Sequence, residues 1–145
     1  MIATWYTNFL LNYDERVPTE SGFTTISREG TERGSPDQAY PRARSNLTFD
    51  WGLEQFGATL GIRYISSVRE TASESPNTMD PEWYVDTQVR YKLPIIEQRS
   101  QIAVGVTNIF GEDPPGCFSC GLNNFDPNTY DPPGRFVYVR VDYKE

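Results

Sequence analysis

Two residues of this chain are typed and spaced for sulfur chemistry: Cys117 and Cys120, in the stretch PPGCFSCG. A Cys-x-x-Cys pair serves redox enzymes when it opens a helix in a βαβ unit, where the helix terminus lowers the thiol pKa. The Pro, Gly and Ser around this pair spell a turn instead. A tetrahedral zinc site takes four soft ligands, and the chain has two cysteines and no histidine. Nearby, Glu112, Asp113, Asp126, Asn128 and Asp131 cluster as oxygen donors of the kind that calcium takes. They lack the glycine-centred pattern of an EF-hand loop, and Asp-Pro and Asn-Thr pairs are ordinary turn formers. No metal site is therefore expected. Without histidine there is no Ser-His-Asp or Cys-His catalysis, and no other acid, base and nucleophile come together. Neither catalytic residues nor a cofactor is expected, so an enzyme is the remote reading.

The elements that carry these residues are strands. Aromatic residues form 14% of the 145 residues, and eleven Gly with eleven Pro supply turns, a composition that suits β structure better than helix. Six segments alternate with period two and lack an internal proline: 3–14, 42–53, 56–69, 83–93, 100–110 and 135–144. In the fourth, Trp83, Val85, Thr87, Val89, Tyr91 and Leu93 oppose Tyr84, Asp86, Gln88, Arg90 and Lys92. In the sixth, Val137, Val139, Val141 and Tyr143 oppose Tyr138, Arg140, Asp142 and Lys144. The other four divide in the same way: Trp5 to Tyr13, Leu47 to Leu53, Phe56 to Tyr64 and Ile102 to Val106 each give one apolar face. Arg44, Asp50 and Arg63 fall with the charges on the opposite face, whose simplest reading is a solvated or ion-paired wall. The expected fold is all-β, an antiparallel meander of about six strands. Asn46-Leu47-Thr48 fits a glycosylation sequon but lies inside a strand, so it carries no weight.

The connections alternate in length. Segments 15–41, 70–82 and 111–134 are long or medium, whereas Glu54-Gln55 and Pro94–Arg99 are short. In an antiparallel meander alternate connections share a rim, so all the long loops lie at one end and the tight turns at the other. Outer-membrane barrels have this asymmetry. Trp5, Trp51, Phe56, Tyr91 and Tyr143 are expected near the tight-turn rim, and Tyr13, Tyr64 and Trp83 near the long-loop rim. Such bands bracket a lipid-facing surface. Net charge is −7, which disfavours nucleic acid as a partner. No run approaches the roughly 18 apolar residues of a membrane-spanning helix, and MIATWYTNFLLNYDER lacks the basic start of a secretory signal.

Residues 104–115, VGVTNIFGEDPP, resemble the penultimate strand and following loop of TonB-dependent outer-membrane receptors, with Gly105, Val106, Asn108, Phe110 and Pro114 at the matching positions and Ile109 where Leu is usual. GRFVYVRVDYK (134–144) resembles the family's final strand, and YPRARSNLTFDW and YVDTQVRYKLP resemble earlier strands in the same order. Two features depart from the family: the chain ends at Glu145 rather than on an aromatic, and it has no plug and no TonB-contacting box. The resemblance implies that residues 1–145 are the carboxyl-terminal segment of a 22-strand barrel, a fragment that supplies wall and external loops. It implies location in the bacterial outer membrane and uptake of a scarce small molecule such as a ferric siderophore. The implied partners are outer-membrane lipid, the remaining barrel and plug of the same receptor, and TonB only through that missing plug. At an oxidising cell surface Cys117 and Cys120 are expected to form a small disulfide, with free thiols the alternative. The alternative function is a soluble β-sandwich or small-barrel ligand-binding module, for which the apolar face would be an internal core.

Overall fold

The computed structural model describes residues 1–34, 36–72, 77–94, 100–121 and 123–143. Its elements are β1 (Ile2–Phe9), β2 (Asp14–Thr19), β3 (Gly22–Ser27), β4 (Thr31–Glu32), β5 (Ala39–Tyr40) and β6 (Ala43–Leu53), followed by β7 (Phe56–Ile65), β8 (Val68–Glu70), β9 (Asn77–Met79), β10 (Glu82–Leu93), β11 (Ser100–Thr107) and β12 (Phe136–Asp142). The chain is all-β, with no helix among the described residues. One six-stranded sheet, ordered β1-β6-β7-β10-β11-β12, forms the body, and every pairing in it is antiparallel.

Alternation along each strand becomes rows across the sheet through its register. Phe49, Leu60, Thr87, Val106 and Val137 lie side by side, and the next row holds Trp51, Ala58, Val89, Val104 and Val139. These rows form one apolar face. No second layer covers it among the described residues: Val89, Val104, Val137, Val139 and Trp83 all stand exposed. The opposite face carries Asp50, Thr59, Gln88, Gly105 and Tyr138 in one row and Gly57, Arg90, Ala103 and Arg140 in the next.

Two glycines make room on this polar face. A Cβ at Gly105 would run into the Tyr138 ring, and a Cβ at Gly57 would meet the Arg90 side chain at 2.5 Å. Arg90 is thereby free to reach Thr59 Oγ1 at 2.9 Å and Asp50 Oδ1 at 2.5 Å.

The rims differ as alternate connections require. Leu53 pairs with Phe56 around the two-residue turn Glu54-Gln55, with Glu54 in the left-handed region at φ 52°. The short Pro94–Arg99 connection falls at the same rim, but its residues 95–99 lie outside the described residues, as do Lys144 and Glu145. At the other rim the loops are structured. β2 and β3 form a hairpin, and β5-β4-β8-β9 form a small sheet joining two different loops. Within that sheet β4 and β8 pair in parallel.

Several sequence expectations need correction. The first strand ends at Phe9 rather than 14, because Leu10 makes the last bond to Arg42 O and the chain then turns away into the β2–β3 hairpin. Tyr13 consequently leaves the apolar face and packs on Tyr40, with ring centroids 4.8 Å apart. Trp5 is not at the tight-turn rim: it pairs with Leu47, one row from Ser45, Tyr64 and Trp83 in the loop half. The segment 56–69 breaks at Ile65, and Val68–Glu70 belongs to the small sheet. The segment 100–110 ends at Thr107, where Asn108 turns left-handed at φ 54°.

The core also sits where the faces did not indicate. Ile65 and Tyr84, at the loop end of the polar face, are buried with Ala39, Val68, Met79, Cys117, Cys120 and Tyr130 from the three loops. Replacing Gly105 with Val is expected to destabilise the sheet by about 1–3 kcal/mol through overpacking against Tyr138. Chemical unfolding of G105V beside G105V/Y138A checks this, because trimming the ring should restore most of the loss.

Candidate functional site

The three long loops converge over the loop end of the polar face, and buried carboxylates hold them there. Irregular backbone leaves amides without ladder partners, and burying them unpaired is costly. Glu32, fully buried on β4, accepts from Gly34 N at 3.0 Å and Gln38 N at 2.8 Å through one oxygen. Glu70, its neighbour across the parallel β4–β8 pair, accepts from Phe118 N at 3.0 Å, from Ser119 N and from Asn77 Nδ2 at 2.7 Å. Asp126, also fully buried, accepts from Ala39 N and Asn128 N, both at 2.8 Å. Each acid thus shapes a loop, and Glu70 and Asp126 each link a loop to a second one.

The segment 111–134 is clamped at both ends by one network. At its start, Asn108 N donates to Asp86 Oδ1 at 2.9 Å, and the Asn108 amide group bonds Glu112 N, Glu112 O and Gly134 O. At its end, Asp131 takes two bonds from the Arg63 guanidinium, at 2.9 and 2.6 Å, while Arg63 also meets Asp86 at 3.1 Å. A bidentate guanidinium fixes direction as well as distance. Cys117 and Cys120 are bonded to each other, with Cα atoms 5.4 Å apart, and both are buried in the cap core.

Of the resemblance residues, Gly105 and Asn108 take structural roles, Phe110 is exposed and Pro114 is half-buried. The oxygen donors do not converge. Asp126 is spent on amides, Asn128 Nδ2 donates to Asp37 O, Asp131 belongs to Arg63, and Glu112 meets Asn108 through its backbone. Among the described residues no three of His, Cys, Asp or Glu are grouped to hold a metal ion. The charged wall is ion-paired in part: Arg63–Asp86, Arg90–Asp50 and Arg140–Asp142 make contacts of 3.1, 2.5 and 2.9 Å. The arrangement orders loops and presents their outer surface. Glu32 and Glu70 escaped the sequence reading because strands of two or three residues carry no periodic signal.

The two glutamates titrate in opposite directions. Burial raises the Glu32 carboxyl above its ordinary 4.5, outweighing the amides of Gly34 and Gln38, and the Asp126 charge adds to the rise. Burial also acts on Glu70, but the bonds from Asn77, Ser119 and Phe118 outweigh it and hold that carboxyl below 4.5. No protein-family model, curated protein or solved structure matches the chain.

A depressed folded pKa contributes stability that is present above the unfolded value and lost as pH falls through the folded one. Glu70 therefore weakens its loop below pH 4.5. Glu32 has the reverse sign: its contribution is present below pH 4.5 and lost as pH rises through its folded value. On acidification the Phe118 and Ser119 amides should lose protection while those of Gly34 and Gln38 keep theirs. Hydrogen exchange corrected for intrinsic rates measures this, and Glu70→Gln should remove the acid-dependent loss at Phe118 and Ser119.

Proposed function

We propose that this chain is barrel wall from the carboxyl-terminal part of a TonB-dependent outer-membrane receptor, which takes up a scarce small molecule such as a ferric siderophore with energy transmitted through TonB. The observation that carries the reading is a six-stranded antiparallel meander whose apolar face is bare while its core lies at one end of the opposite face. In water each exposed Val, Leu or Phe forgoes about 1.5–3 kcal/mol of burial. Against hydrocarbon the same face needs no second protein layer. The soluble sandwich would need the Val89 and Leu60 rows to be its interior, and the position of the core argues against that.

The sheet edges support the same reading. Among the described residues β1 and β12 each pair on one side only. In a bilayer every unpaired backbone group costs several kcal/mol, so neighbouring strands are required on both sides. The rest of a 22-strand receptor barrel would supply them. In that setting the face bearing Arg63, Asp86 and Arg90 turns to the lumen and the plug, and TonB acts through the plug alone. The loop cap with its buried disulfide faces outward and meets the ligand. The chain contributes wall and loops, and no bond-making chemistry.

Arg at Val89 or Leu60, in the middle rows, is expected to cost about 2–4 kcal/mol in folding into bilayers, against about 0–1 for Arg at Leu53 near the rim. Gln88→Arg, on the lumen side, should be tolerated. Equal tolerance at Val89 and Gln88, or a monodisperse monomer that melts cooperatively in plain buffer, would overturn the assignment.

A further inference from the structure

The β2–β3 hairpin is a two-stranded sheet of its own, joined neither to the main sheet nor to the small one. Most of its side chains are exposed, with Glu15, Val17 and Ile26 half-buried. A lone hairpin is marginal in water and gains from a further strand. Its register shows which edge can take one. Arg28 N donates to Tyr13 O at 2.7 Å, so Tyr13 and Arg28 form a bonded pair in line with Asp14 and Ser27. Bonded and non-bonded pairs alternate along an antiparallel ladder. Glu15–Ile26, Val17–Thr24 and Thr19–Gly22 are therefore the pairs bonded across the hairpin. The main-chain groups of Asp14, Arg16 and Pro18 point outward from one edge, and those of Phe23, Thr25 and Ser27 from the other.

The two edges differ. On β2, Pro18 has no N–H to offer, and Asp14 and Arg16 set charge beside the donors that remain. Proline and charge are the usual guards of an exposed edge. β3, with the sequence GFTTIS, has neither. Phe23, Thr25 and Ser27 each keep a main-chain donor and acceptor, and none of these groups has a partner among the described residues. A row of N–H and C=O groups at every second residue is matched by one chemistry, that of an extended polypeptide.

We propose that the outer edge of β3 is an interface between two copies of this chain, paired antiparallel about Thr25. The edge complements itself. In that register Thr25 faces Thr25 of the second copy and Phe23 faces Ser27 of the second copy, so outward groups meet outward groups and each pair exchanges two bonds. No charge is set against a like charge, and Thr–Thr is a favourable cross-strand pair. The β2 edge fails the same test: its centre would set Arg16 against Arg16, and the Pro18 donor is missing. Pairing β2 of one copy with β3 of another loses that donor as well. Addition therefore stops at two copies, an isologous pair whose outer edges are guarded. The inference concerns a loop hairpin rather than the wall, and it goes beyond the membrane reading without resting on it.

The test uses the full chain in neutral-detergent micelles, with hydrogen exchange read residue by residue at rising protein concentration. Protection of the Phe23, Thr25 and Ser27 amides should rise with concentration, while Asp14 and Arg16, on the guarded edge, stay unprotected. On oxidation Thr25→Cys should crosslink two copies, because bonded partners lie about 5.5 Å apart between Cα atoms, whereas Thr24→Cys, offset along the strand, should not. Thr25→Lys and Thr25→Glu should each lose the concentration-dependent protection, and mixing the two should restore it, because opposite charges then face each other. Equal crosslinking at positions 24 and 25, or no recovery on mixing, would refute the β3 pair. Protection of the three amides at every concentration would mean that another strand already covers the edge, and would refute it too. The membrane reading is decided separately, by the Val89 and Gln88 comparison.

Discussion

Lateral register is the constraint on which the rest of this molecule depends. Side chains alternate at every residue, so a slip of one position would carry Val89 to the charged face and Arg90 to the apolar one. Several local fits oppose such a slip. The two-residue turn at Glu54-Gln55 sets β6 against β7. Gly105 admits the Tyr138 ring and Gly57 admits the Arg90 stem, each in one alignment only. The Arg90–Asp50 and Arg63–Asp86 pairs then join strands that are not neighbours in sequence. With register held, the apolar rows are continuous, the ion pairs close, and Ile65 and Tyr84 come to lie beneath the loops.

The cap solves a different problem with different chemistry. Its loops contain too few apolar residues for a large core, yet they bring many backbone amides out of water. Carboxylates are efficient there, because one group accepts two or three N–H bonds that regular strands would otherwise pair. Glu32, Glu70 and Asp126 each do so from a buried position. Replacing one with an apolar residue would strand several amides at once, a larger loss than a single hydrogen bond. The Cys117–Cys120 bond closes only a short loop and so gains little from loop-closure entropy. Its buried sulfurs serve equally as apolar filling of the core.

Sheet and cap are coupled chiefly through Arg63 and Asp86. Asp86 holds Asn108 at the entry of the last loop, and Arg63 holds Asp131 at its exit. Both side chains are about one-third exposed, so water screens each pair, and the geometry of the shared network matters more than the strength of any one contact. A movement of the last loop must therefore break bonds to β7 or β10.

The sequence by itself determined the six strands of the main sheet, their antiparallel meander, its two faces and the rim at which the long loops lie, and missed the short strands β2–β5, β8 and β9 inside those loops. Period-two alternation is a local property, and connection length follows directly from it. It also placed the Cys117 and Cys120 pair in a turn of the last loop. Only the tertiary structure decided where strands stop: β1 ends at Phe9, where the chain turns off towards the β2–β3 hairpin, and Ile65 and Thr107 end their strands because loop contacts at Val68 and Asn108 compete with continued alternation. It decided the row in which Trp5 lies, since registry between β1 and β6 cannot be read from either segment alone. It decided as well that Glu32, Glu70 and Asp126 are interior. Acidic residues in loops are ordinarily solvated, and only the folded loops aim amides at these carboxylates, from Glu32's own loop and from a second loop for Glu70 and Asp126.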